Sequence, residues 1–241
     1  MITKKTITEI EPNFVEGEII LLDKALYKSS FDCVYKIRKA VGVQKVGHAG
    51  TLDPMATGLM IVCTGKKTKE ISENQNFEKT YTGIICLGKT TPSYDSETEY
   101  NSEKSFDYVT EEDVYKTRDL FVGKIFQTPP MYSAVKRNGK ALYHFARKGL
   151  EIERNAREVL ISKFEINKID LPDLHFEITC SKGTYIRVIA NDFGASIGCG
   201  AYLKSLRRIK IGSFSVDDAL SINEFIQFAQ KHVIAESELV Q

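Results

Sequence analysis

One segment, Gly47-His48-Ala49-Gly50-Thr51-Leu52-Asp53-Pro54-Met55-Ala56-Thr57-Gly58, sets a single carboxylate among small residues. Glycine permits backbone conformations and close approaches that a Cβ forbids. Pro54 biases Asp53 toward extended backbone and helps fix its direction. A rigid loop that presents one acid suits a nucleophile or a general base. A surface turn in which Asp53 only bonds local amides would have the same composition. The residues alone leave both readings open. The four histidines, His48, His144, His175 and His232, form no HxxxH or HxH pair, so no zinc site is expected.

The elements that must position this loop can be read from pattern. Gly17 to Lys24 has the character of a short buried strand. Ser30 is the expected N-cap of a helix in which Phe31, Val34, Ile37 and Val41 recur at helical spacing until Gly42. Recurring glycines from Val43 to Gly65 suggest loops around a short strand. Lys79 to Leu87 reads as a strand, and Thr110 starts a helix that Gly123 would close. Val159–Ile169 and Leu174–Cys180 form a hairpin pattern in which Phe176, Ile178 and Cys180 share one face. A helix follows from Ile186 to Ile197, and Ser221 with Glu224 makes a capping box for the last one. This mixture predicts an α+β fold with a mixed, mainly antiparallel sheet flanked by helices.

Composition bounds the possibilities. A chain of 241 residues with 42% hydrophobic and 27% charged residues is globular, and its longest apolar runs are far short of a membrane span. The N-terminus has no apolar leader segment. The five cysteines are scattered without a CxxC, as expected of reduced thiols in a cytoplasmic protein. Net charge is only +1, yet residues 124–157 hold eight basic residues against two acidic ones, and residues 95–119 hold nine acidic against three basic. A local basic patch can attract phosphate without a basic total. Lys204, Arg207, Arg208 and Lys210 make a basic stripe that could decorate a strand or hold phosphates. Residues 127–150, with two prolines and two glycines, read as an inserted basic arm.

The segment around Asp53 resembles the GHxGxLDPxATG motif of the TruB family of tRNA pseudouridine synthases. Other matches follow in order: Leu21-Leu22-Asp23-Lys24, Lys79-Thr80-Tyr81, Gln127 to Lys136, Gly139 to Tyr143, Tyr185 to Gly194 and Leu206-Arg207-Arg208. The resemblance covers roughly residues 17 to 216. It implies the pseudouridine-synthase fold, with the arm as a thumb-like insertion, and conversion of uridine 55 in the T-loop of tRNA. By the same resemblance Asp53 is the essential aspartate, Tyr81 stacks on the target base and Arg187 pairs with Asp53. Tyr185 and Leu206 line the pocket, His48 helps replace the extruded nucleotide, and Lys24 supports the site. Asp95 stands where the family places a polar residue near the cleft. The run before it, Thr90-Thr91-Pro92-Ser93-Tyr94, departs from the family's TDTxD-like pattern.

Those residue types suit the chemistry. A base inside a folded loop must be flipped out and stacked, and a tyrosine offers the face for it. An arginine can hold a carboxylate ionised and aimed. Moving C1′ from N1 to C5 needs neither metal nor redox cofactor. The carboxylate can serve as nucleophile or stabilise charge during a glycal-like route, and the sequence does not choose. The expectation is therefore a monomeric, cytoplasmic enzyme acting on the T-stem-loop of tRNA, without cofactor, metal or membrane. It would form one catalytic domain over 1–241, with too few residues after Val216 for a C-terminal PUA domain. A non-catalytic RNA chaperone is the first alternative. A hydrolase using Asp53 as general base is the second, disfavoured because no second carboxylate or metal cluster accompanies Asp53.

Overall fold

The computed structural model describes residues 1–137 and 139–238, with residues 233–238 described by backbone alone. The chain forms two compact units, Met1–Thr80 with Arg207–Gln241, and Tyr81–Leu206.

In the first unit β1 (Ile19–Lys24) leads into α1 (Ser30–Val41), β2 (Val46–His48), β3 (Ala56–Thr64) and the short α2 (Ile71–Asn76). The cap of α1 is Ser29, one residue earlier than expected. Its hydroxyl accepts from the Asp32 amide while Asp32 accepts from the Ser29 amide. Gly42 ends the helix in the left-handed conformation, φ 69°, and donates to the Arg38 carbonyl. The stretch expected as loops around a short strand instead holds nine residues of β3, nearly all buried. Gly58 within it, and Gly47 in the neighbouring β2, masked that strand, because pattern cannot separate a glycine in a buried strand from one in a turn.

In the second unit β4 (Lys79–Leu87, which begins in the first) is followed by β5 (Lys89–Thr90), β6 (Ser102–Glu103) and α3 (Glu111–Asp119). Thr110 and Asp113 form a capping box at the expected helix start. Gly123 does not close α3, which ends at Asp119; it opens β7 (Gly123–Gln127). The arm carries β8 (Lys136–Arg137), β9 (Lys140–Ala141) and α4 (Leu142–Ala146). Leu142 is its buried anchor, with its amide bonded to the Val135 carbonyl. β10 (Arg157–Asp170) and β11 (Asp173–Cys180) form the predicted antiparallel hairpin, with Phe176, Ile178 and Cys180 buried on one face. Then come α5 (Ile186–Ile197) and β12 (Ala201–Ile211), which passes back to the first unit at Arg207. β13 (Phe214–Ser215), β14 (Leu220–Ser221) and α6 (Ile222–Glu238) complete the first unit.

Strand order in the first unit is β14-β1-β3-β12, with β2 paired to β3 and β13 to β12; in the second it is β12-β4-β11-β10-β7. β1 and β14 are parallel, whereas β1–β3, β2–β3, β12–β13, β10–β11 and β7–β10 are antiparallel. The fold is thus α+β with a mixed, mainly antiparallel sheet arrangement, as the sequence pattern predicted. Leu21, Leu59, Ile61, Cys63, Ile211 and Val216 form one apolar cluster in the first unit. Phe121, Phe164, Phe176 and Phe193 pack edge-on and stacked in the second. All five cysteines are free and buried.

Candidate active site

Asp53 sits in the turn between β2 and β3, half-buried, in the segment that composition marked out. Its neighbours in the first unit hold the backbone on every side. The Ser30 hydroxyl accepts from the Leu52 amide at 2.9 Å and lies 3.1 Å from the Leu52 carbonyl. The Tyr27 amide donates to the Pro54 carbonyl at 2.9 Å, and Ala56 closes a turn onto the Asp53 carbonyl at 3.0 Å. Arg208, 1% exposed, donates Nε to the Leu59 carbonyl at 2.7 Å and Nη2 to the Gly50 carbonyl at 3.2 Å. Gly58, at φ 107°, lets its strand approach so closely that an added Cβ would lie 2.3 Å from the Arg208 carbonyl oxygen. A carboxylate on so constrained a loop loses little freedom when it meets a reacting atom.

Two further predicted residues lie in this unit. Lys24 is buried, donating Nζ to the carbonyls of Lys28 at 2.6 Å and Ala25 at 3.1 Å. Burial lowers its pKa, and the negative charge of Asp53 is among the influences that oppose the shift. His48 pairs with Val62 across β2 and β3. Burial first, and the Arg208 charge second, lower its pKa, which favours a neutral imidazole. Arg207 grips Asp23 through two nitrogens, at 3.0 and 2.7 Å. With Lys24 and Thr57 the pair lines a cleft of about 240 Å³.

The second unit gathers the other predicted residues. Arg187, in the first turn of α5, is 3% exposed. Its Nη1 donates to the Ser93 carbonyl at 3.3 Å, and its Nε lies 3.9 Å from an Asp95 carboxylate oxygen. Asp95 is itself buried, accepting from the Ser93 hydroxyl at 2.6 Å and the Glu97 amide at 3.0 Å. The departure from the family run at 90–94 therefore leaves Asp95 tightly held, and Thr91 adds a hydroxyl bond to its carbonyl at 2.8 Å. Tyr185 caps α5, with its amide and carbonyl both bound by the Gln127 side chain. The guanidinium groups of Arg157 and Arg187 lie 5.1 and 5.6 Å from the centre of its ring. Tyr81 is buried on β4, and Leu206 is half-buried on β12.

Ser30 and Arg208, which support the Asp53 loop, and Gln127, which supports Tyr185, are not evident as such in the sequence. By residue type Ser30 reads as a helix cap. Arg208 stands in a basic stripe with Lys204, Arg207 and Lys210, yet it points inward. Gln127 and Arg208 both stand in matched motifs, which is the available signal for them. Among the described residues there is no group of three or more His, Cys, Asp or Glu able to hold a metal, and no helix long and apolar enough to cross a membrane.

Residues 38–186 match the model of the TruB family pseudouridylate synthase N-terminal domain. The chain belongs to this family. Residues 187–241 match the tRNA pseudouridylate synthase B C-terminal domain. A protein of Flavobacterium johnsoniae named tRNA pseudouridine synthase B is 46% identical over 224 residues, 90% of this chain and 98% of that protein. One of the same name from Chlorobium chlorochromatii is 47% identical, over 88% of this chain and 85% of the relative. Among solved structures, a chain of a Cbf5-Nop10-Gar1 complex aligns with a TM-score of 0.69 at 26% identity. That match covers 89% of this chain but only 54% of the solved one, so this synthase spans about half its length.

Proposed function

We propose that this pseudouridine synthase isomerises uridine 55 in the T-loop of tRNA, flipping the base and using Asp53 to move C1′ from N1 to C5. The observation that carries the reading is the clamped loop. Asp53 is held between anchored carbonyls at Gly50, Pro54 and Leu59, yet keeps a half-exposed side chain. A surface turn bonding only its own amides would not need a buried arginine beneath it. The relatives' shared name supports tRNA as substrate, and the motif around Asp53 supports the T-loop target.

In this reading Tyr81 meets the flipped base and Arg187 keeps the acid ionised. Tyr185 and Leu206 line the base pocket, with Asp95 holding Arg187 in place. His48 takes a place beside the RNA left by the extruded nucleotide, and neutrality suits it to that contact. Lys24 supports the loop between β1 and α1 through its carbonyl bonds. The reaction is an internal rearrangement, so atoms balance without cofactor or metal. We assign the work to a monomer acting in the cytoplasm, as one catalytic domain that carries the basic arm as an insertion.

Incubating the protein with unmodified tRNA and mapping pseudouridine tests the target. Pseudouridine at another position, or none, overturns it. Asp53→Asn should abolish turnover while tRNA affinity stays within about a few-fold, as for loss of a nucleophile. Turnover by the variant would remove Asp53 from the mechanism.

A further inference from the structure

Ahead of α1 lies a feature that neither the core nor the reaction uses. Tyr27 has φ 61°, a left-handed conformation that bulky residues rarely adopt. Its amide is bonded to the Pro54 carbonyl, so this backbone is fixed one residue from Asp53. The residue nonetheless stays 69% exposed. Along α1, one turn apart, Phe31 and Tyr35 are 66% and 56% exposed. The buried face of this helix is supplied by Cys33, Val34, Ile37 and Val41, so the three rings are not required for its packing. Lys28, Lys36 and Lys39 are exposed among them. Asp32, the acid in the same stretch, is taken up by the Ser29 capping box.

We infer that Tyr27, Phe31 and Tyr35 form a stacking platform for unpaired bases of the substrate RNA next to the reacting uridine. The inference rests on the RNA reading above and adds a binding surface to it. Exposed aromatic faces interleaved with cations suit single-stranded nucleic acid, whose bases stack while its phosphates meet the lysines. Large exposed apolar groups gathered in so short a stretch, rimmed by charges, are the composition of a binding surface. A second copy of the chain is a poorer occupant. A two-fold contact through this face would bring the lysines of both copies together. The bond from Tyr27 to Pro54 makes the platform continuous with the loop that carries Asp53.

The chain contains no tryptophan, so Phe31→Trp introduces one reporter. Adding unmodified tRNA transcript should quench its fluorescence, as a base stacking on the indole requires; unchanged emission at saturating RNA overturns the platform. Tyr27→Gly removes the ring and suits the left-handed backbone. Combined with Phe31→Ala and Tyr35→Ala, it should raise the Kd for the transcript about tenfold or more. The melting temperature should stay near that of the wild type. Leucine at all three positions keeps apolar area without a π face and should bind as poorly; wild-type affinity in that variant overturns stacking. Self-quenching of the Phe31→Trp reporter with protein concentration, together with unaltered RNA affinity in the ring-deletion variant, would assign the face to a second copy and overturn the inference. Pseudouridine formation by the wild type in the same transcript is scored separately. A protein that binds and quenches without modifying loses the T-loop reading but keeps the platform. One that modifies without quenching loses only the platform.

Discussion

At the scale of single residues, the two chemical roles proposed here fail in different ways when altered. A carboxylate that attacks cannot be replaced by its amide, whereas a phenol that only stacks can lose its hydroxyl. Tyr81 is buried on β4, so its ring has a packing value whatever its chemistry. If the ring only stacks, Tyr81→Phe keeps the π face and the rate. If the hydroxyl moves a proton during the rearrangement, Phe should lower the single-turnover rate about 10²-fold or more with binding retained. The second outcome is expected, because few other titratable side chains in the matched motifs can serve. Leucine, lacking both ring and hydroxyl, should be poor in either case. Single-turnover rates of Tyr81→Phe on unmodified tRNA decide the matter, and a near-wild-type rate would leave stacking as its role.

At the scale of elements, the loop around Asp53 depends on α1 and β12, which lie far from it in sequence. Ser30 bonds both the amide and the carbonyl of Leu52. Ser30→Ala would leave these groups without their buried partner, at a cost of about 1–3 kcal/mol. It should lower the melting temperature and kcat together while KM changes little, because Asp53 is then aimed less well. Unaltered kcat in a destabilised variant would make Ser30 purely structural. This dependence also shows what was legible in the sequence. Local patterns carried the α1 pattern, the β10–β11 hairpin, α5 and the capping box of α6, because caps and alternation act over a few residues. Nothing local says that Ser30 reaches Leu52, 22 residues on, or that Arg208 turns inward to Leu59. A serine before a helical run has the same signature whether it caps or clamps. Likewise Gly123 has the same signature whether it closes α3 or opens β7, and tertiary pairing decided it. Asp53 itself became legible through ordered motifs rather than through residue physics, which favoured a plain turn.

At the scale of the whole molecule, a net charge of +1 conceals the separation that matters for a polyanionic substrate. The arm concentrates cations: Lys136, Arg137, Lys140 and Lys148 are exposed on and around β8, β9 and α4. The acidic stretch 95–119 lies on other elements of the same unit, and Glu97 reaches Arg147 of the arm at 3.7 Å. Such an exposed pair is worth little in water, so the arm's cations remain available to phosphates. Each phosphate neutralised releases counterions, and the logarithm of affinity then falls with the logarithm of salt by about 0.9 per contact on a duplex and about 0.7 on a single strand. Neutralising Arg137, Lys140 and Lys148 together should therefore flatten that slope by about two to three and weaken binding most at low salt. The loss should be similar across RNA sequences, because phosphate contacts position the substrate without reading its bases. Binding titrations of wild type and triple variant over a range of salt concentrations measure it. Equal slopes would mean that the arm grips tRNA by shape or by base contacts, and that its charge serves something other than the backbone.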